Sequence, residues 1–138
     1  MEEKLDRKDL RCIQFKDAII SLKQAINKDF TKLDITIKID SVIHRFEYTF
    51  ELMLKTLRDY FLTEGFIDDL DSPRSVLKFA FKNNIISNEK VYLIMLEQRN
   101  STVHLYSETK EIYDNICNSY IYRIDEIYNF LKLKKYIK

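Results

Sequence analysis

Tryptophan is absent from the 138 residues, and glycine and proline occur once each. Average proteins carry about 7% glycine and about 5% proline. Strand-rich folds need turn residues at every corner, so this scarcity excludes sandwiches and barrels and leaves a few long helices. The two cysteines, Cys12 and Cys117, lie far apart. They form neither a zinc spacing nor a disulfide framework, and both read as reduced, ordinary helix residues. Neither a metal nor a cofactor is expected. No charge of one sign dominates: 23 Lys and Arg oppose 22 Asp and Glu, for a net charge of +1. No global field therefore draws the chain to nucleic acid or to an anionic membrane, and any RNA contact must be local. No apolar run approaches the ~20 residues of a membrane span. The opening Met1–Asp6 lacks the apolar centre of a signal peptide, so a cytoplasmic protein with no membrane association is expected.

What is present is ample core material. Hydrophobic residues make up 46% of the chain and charged residues 33%, which suits one domain over 1–138. A first helix is expected from about Asp9 to Lys28, with Phe15, Ala18, Ile19, Leu22, Ala25 and Ile26 on one face. The connector from Asp29 to Ile35 is short and polar. A second helix carries Ile39, Val42, Phe46, Phe50, Met53, Leu57 and Phe61 in helical period, and Gly65 stands where a left-handed cap is wanted. Phe66 to Asp71 read as a loop. Ser72-Pro73-Arg74 reads as an N-cap with Pro at the first position, opening a short third helix that ends near Asn83. Ser87 or Asn88 caps a fourth helix that runs into the segment from Arg99 to Tyr106. A last helix, opening near Ser107, uses Ile112, Ile116, Tyr120, Ile124, Ile127 and Leu131. Its end, Lys132 to Lys138, reads as a solvated last turn whose cations complement the helix dipole. Short connections make neighbours antiparallel. The expected fold is all-α, an up-and-down bundle of four long helices and one short one.

The most specific feature is Arg99-Asn100-Ser101-Thr102-Val103-His104-Leu105-Tyr106. Histidine is scarce, limited to His44 and His104; His44, beside Ile43 in the second helix, reads as structural. An imidazole takes or gives a proton near neutral pH, and a guanidinium offers a fork of donors that fits a phosphate. Together they suffice for metal-free RNA cleavage. Five residues on one α-helix rotate by roughly 140°, so Arg99 and His104 would point apart. Asn100 and His104 would share a face. Either the helix breaks between Arg99 and His104, or two copies meet so that both groups converge on one cleft, a two-fold homodimer. The plainer alternatives are that Arg99 pairs with Glu47 or Glu51 as a structural arginine, that His104 caps a helix end, and that Tyr106 packs.

Arg99, His104 and Tyr106, with Asn100 directly after the arginine, resemble the HEPN superfamily. Arg45-Phe46-Glu47-Tyr48-Thr49-Phe50-Glu51-Leu52 is similar to the second-helix signature of its nucleotidyltransferase substrate-binding branch. Ser72-Pro73-Arg74, Phe79-Ala80-Phe81 and Ile85-Ile86 fit that branch as well, so the likeness spans about Phe15 to Tyr128. Leu54 stands at one position where that branch often carries tryptophan. The resemblance implies a helical homodimer whose partner is a minimal nucleotidyltransferase encoded beside it. It further implies a ribonuclease toxin that the partner neutralises, with Arg99, His104 and Asn100 as catalytic residues. Tyr106 would be the target of AMP transfer, and Glu47 and Glu51 would support the arginine. The competing implication is a non-catalytic subunit that presents substrate to the nucleotidyltransferase.

Overall fold

A computed structural model describes residues 6–28, 35–66, 69–101 and 106–138, with backbone only at 106 and 107. Helix α1 spans Arg7–Asn27 and opens on Asp6, whose carboxylate accepts from the Asp9 amide at 2.8 Å. Helix α2, Ile35–Thr63, is the longest at 29 residues and starts a turn earlier than its apolar stripe. Helix α3, Pro73–Lys82, opens on a reciprocal cap between Ser72 and Ser75. Helix α4, Glu89–Asn100, is capped by Asn88. A last rod comprises α5, Tyr106–Asn115, a π-helical turn over Ile116–Tyr120, and α6, Ile121–Leu133. The described residues contain no strand, and the fold is the expected up-and-down helical bundle. The connector expected at Asp29 to Ile35 lies outside the described residues, except that Ile35 begins α2.

Cross-helix contacts give the layout. Arg11 meets Asp59, and Thr49 donates to the Ala18 carbonyl, so α1 and α2 run antiparallel. Phe46 stacks on Tyr120 at 5.5 Å, and Tyr60 meets Phe130 at 5.6 Å, so α2 and the last rod run parallel. Helix α1 bridges this pair on one flank through Phe15 and Tyr128. Helix α4 joins it on another, its Tyr92 hydroxyl donating to the Arg123 carbonyl at 3.0 Å. The core is filled by Phe15, Phe46, Phe50, Phe61, Met53 and Met95, each at most 1% exposed. Two buried threonines, Thr49 and Thr56, donate back to the carbonyls of Arg45 and Leu52, which removes the cost of an unmade hydrogen bond.

The π-helical turn has a cause in the sequence. Ile112, Ile116, Tyr120 and Ile124 are spaced by four throughout. On an ideal α-helix each such step drifts about 40° around the axis. A turn with i→i+5 bonding absorbs one residue, and the Ile121 amide accordingly reaches the Ile116 carbonyl. All four side chains then stay buried.

Three helices end on one device, a residue at positive φ followed by a reach back to the helix. Gly65 takes φ 83°, with the Phe66 amide bonded to the Phe61 carbonyl. Asn84 and Lys135, both at φ 59°, do the same for α3 and α6. The seven terminal residues therefore depart from the expected solvated turn. Lys132, Lys134, Lys135 and Lys138 are exposed, but Tyr136 and Ile137 fold back and are buried. Tyr136 sits among Cys12, Tyr60 and the Lys8 ammonium. An aromatic and an isoleucine at the end of a basic run are covered because α1 and α2 leave them an apolar site.

Candidate functional site

Arg99 occupies the last turn of α4. Its Nη2 lies 3.1 Å from Glu51 Oε2, and its Nη1 donates to Asn100 Oδ1 at 3.0 Å. Glu51 holds Lys55 on its other oxygen at 2.9 Å. The hydrogen-bonded Lys55 ammonium is the largest cause that holds the Glu51 carboxyl below its ordinary value; partial burial opposes it, and the Arg99 charge adds to the lowering. Of the two carboxylates expected to support Arg99, Glu51 does so. Glu47, one turn earlier and half-buried, makes no ion pair among the described residues. The arginine side chain keeps 30% of its surface, so part of the guanidinium fork still faces solvent.

Helix α4 ends at Asn100, and Ser101 is extended at φ −68°, ψ 122°. The helix thus breaks between Arg99 and His104, the first of the two solutions expected from the spacing. His104 and the Tyr106 side chain lie outside the described residues. His44, read as structural, is exposed on the outer face of α2, between the buried Ile43 and the half-buried Arg45.

Two tyrosines whose contacts pattern reading missed fix both ends of α4. The Tyr120 hydroxyl donates to Gln98 Oε1 at 2.6 Å, tying the residue before Arg99 to the π-helical turn. Tyr92, buried at the other end of α4, is anchored by Arg123 and Glu126 on α6. The four-residue spacing through Tyr120 was the available signal.

Two open hollows flank this end of α4. One, of about 640 Å³, lies between α3 and α4 and is lined by Arg74, Lys90, Leu93, Ile94, Glu97 and Asn100. The other, of about 300 Å³, carries Glu97, Glu108 and Glu111 beside Gln98 and Ser101. Among the described residues no group of three or more His, Cys, Asp or Glu has the geometry to hold a metal ion. Cys12 and Cys117 are free thiols whose pKa is raised, chiefly by burial, the condition of inert rather than reactive cysteine. No described helix is long and apolar enough to cross a membrane.

The profile described as "Nucleotidyltransferase substrate binding protein like" matches residues 10–133, nearly the whole chain. The chain belongs to this family. No curated protein matches it. The family match covers the two helices that supply Arg99 and Glu51, and the resemblance drawn from the motif and from the Arg45–Leu52 signature stands. The bundle thus brings Arg99, Asn100 and Glu51 together at one helix end, where α4 stops.

Proposed function

We propose that this protein is the HEPN-type partner of a minimal nucleotidyltransferase and a metal-independent RNA endonuclease that this partner neutralises. The observation that carries the reading is the held but part-exposed Arg99 at the broken end of α4, with Asn100, which lines an open hollow, against it. In this reading Arg99 binds the scissile phosphate. His104 takes the ribose 2′-OH proton as the 2′ oxygen attacks phosphorus, or protonates the 5′ oxygen as the P–O5′ bond breaks. The products are a 2′,3′-cyclic phosphate and a 5′-hydroxyl, and no metal step is needed. Asn100 orients His104 or the phosphate. Two copies pool these groups across a homodimer. Transfer of AMP to Tyr106 would place a bulky anion beside His104 and repel RNA.

The test is incubation of the purified protein, without its partner, with single-stranded RNA in EDTA. Cleavage is expected, with His104→Ala and Arg99→Ala each lowering the rate by at least about 100-fold, as loss of a general acid–base does. RNA that stays intact with the unsubstituted protein at high concentration would overturn the nuclease reading.

One observation favours a second reading, a non-catalytic subunit that presents substrate to the nucleotidyltransferase. Glu97, Glu108 and Glu111 share a hollow beside Arg99's helix end, and carboxylates repel a phosphodiester. A tight complex with the nucleotidyltransferase and no toxicity on expression would select that reading.

A further inference from the structure

The near-zero net charge conceals a polarised molecule. Carboxylates gather at the end of α4, with Glu51, Glu97, Glu108 and Glu111. Cations gather where α1 begins and α6 ends. Arg7, Lys16, Lys132, Lys134, Lys135 and Lys138 are exposed there, and Lys8 is half-buried. Among the described residues Arg7, Lys16, Lys132, Lys135 and Lys138 have no ion-pair partner. Two of the nearby acids are spoken for. Arg11 holds Asp59 at 2.6 Å, and Asp6 caps α1. Asp9 remains, on the rim of a small hollow of about 170 Å³ that it shares with Lys16, Tyr136 and Lys138. Asp17, exposed next to Lys16, and Glu64, whose charge reaches Tyr60, remain as well.

The cations are also held in place. Lys8 Nζ sits 4.2 Å from the Tyr136 ring centre and Lys134 Nζ 5.8 Å from that of Phe130. Tyr60 packs edge-on against both rings, at 5.4 and 5.6 Å, so one aromatic cluster carries ammonium groups on two sides. The turn that displays Lys134 and Lys138 is fixed by Lys135 at φ 59° and by burial of Tyr136 and Ile137. A solvated lysine tail needs none of this. Ordering the cations beforehand lowers the entropy lost when they meet a polyanion.

We propose that the first turn of α1 and the turn after α6 form a binding face for the phosphodiester backbone of single-stranded RNA, separate from the Arg99 segment. Rows of unpaired cations around a shallow hollow suit a repeating phosphate chain. Tyr136 and Ile137 point inward, but Leu133, Leu10 and Ile13 are exposed among these cations, so an anionic lipid surface is the competing occupant, and the vesicle arm of the test decides against or for it. This face binds whether or not the Arg99 segment cuts RNA.

The experiment is fluorescence anisotropy with a labelled 20-nucleotide oligouridine, on the full chain carrying His104→Ala so that the probe stays intact. Substituting Lys132, Lys134 and Lys138 together by Gln is expected to weaken binding at least tenfold. It should also flatten the plot of log affinity against log salt by about 2, since each single-strand phosphate contact contributes roughly 0.7. Arg at the same three positions should restore affinity and slope. Lys38, Lys78 and Lys82 changed together to Gln, away from this face, should cost less than twofold. Lys132→Gln and Lys138→Gln singly, which disturb no recorded contact, report if the triple variant fails to fold. Equal losses from both triples would overturn the proposal. So would absent RNA binding at 50 mM salt, or binding to phosphatidylserine vesicles and not to RNA. Because the readout is binding, its failure is distinct from failure of the cleavage test.

Discussion

Glu51 neutralises two cations at once, Arg99 from α4 and Lys55 from its own helix. Its lowered pKa makes this a pH-dependent contribution. A carboxylate held below its ordinary value stabilises the fold above the unfolded pKa, near 4.5, and the contribution fades as pH falls through the folded value. Glu51→Gln should therefore lower the melting temperature at pH 7, and by less at pH 3. Half-exposed pairs are screened, so the difference should shrink in molar salt. Calorimetry at the two pH values measures it. The Arg99–Glu51 pair was legible because Arg99 continues the inward stripe of Tyr92 and Leu96, where an arginine needs a carboxylate. Choosing Glu51 over Glu47 was not legible, since the two are one helical turn apart and only the axial offset of α4 on α2 decides. The bond from Tyr120 to Gln98 was equally hidden, because tyrosine in a core stripe does not announce where its hydroxyl goes.

Helix ends followed their sequence signals where the signals were conventional. Gly65 closes α2, and Ser72 with Pro73 opens α3. A Cβ at Gly65 would meet nothing within 4 Å, yet φ 83° is strained for any other residue. Gly65→Ala should cost about 1 kcal/mol through backbone conformation alone. Lys135 presents the opposite case. A lysine at φ 59° gives up roughly 1–2 kcal/mol, and glycine recovers most of that less its own unfolded-state entropy of about 0.5–1 kcal/mol. Lys135→Gly should raise the melting temperature by about 1–3 °C; a fall would mean the lysine makes a stabilising contact. The closing turn was not legible because charge dominates the run Lys132–Lys138, while burial of Tyr136 and Ile137 depends on the gap left by α1 and α2. The π-helical turn was legible only in hindsight, from the unbroken four-residue spacing that ends in Ile124.

For the whole molecule, tyrosine burial sets an alkaline limit. Burial is the leading cause that raises the hydroxyls of Tyr113 and Tyr136 to about 12 and that of Tyr92 higher still. A group whose folded pKa is raised contributes fully below its unfolded value, near 10, and loses that contribution as pH climbs through the folded value. Stability should be level up to about pH 9, begin to fall as the raised thiols of Cys12 and Cys117 contribute, and fall further between 10 and 12. Tyr136→Phe should flatten that fall, as thermal melts across the range would register. The all-helical fold was legible in outline because its periodicities are long and its breakers few. Assembly belongs to this scale too. Sedimentation should give twice 16.7 kDa if the Arg99 segments of two copies meet, and a monomer would sink the shared cleft while sparing the remote cationic face.

The contact between Cys12 and the Tyr136 carbonyl joins positions 124 residues apart. Such a closure depends on everything between them. Helices α1 and α2 meet through contacts between neighbouring elements, whereas the site they form for Tyr136 and Ile137 can close only when the last rod is in place. That apolar seat stays wet until residues 136 and 137 arrive. Were Tyr136 and Ile137 not seated, Cys12 and Tyr60 would meet water and proteases, so this one seat guards the start of the bundle from a point far along the chain.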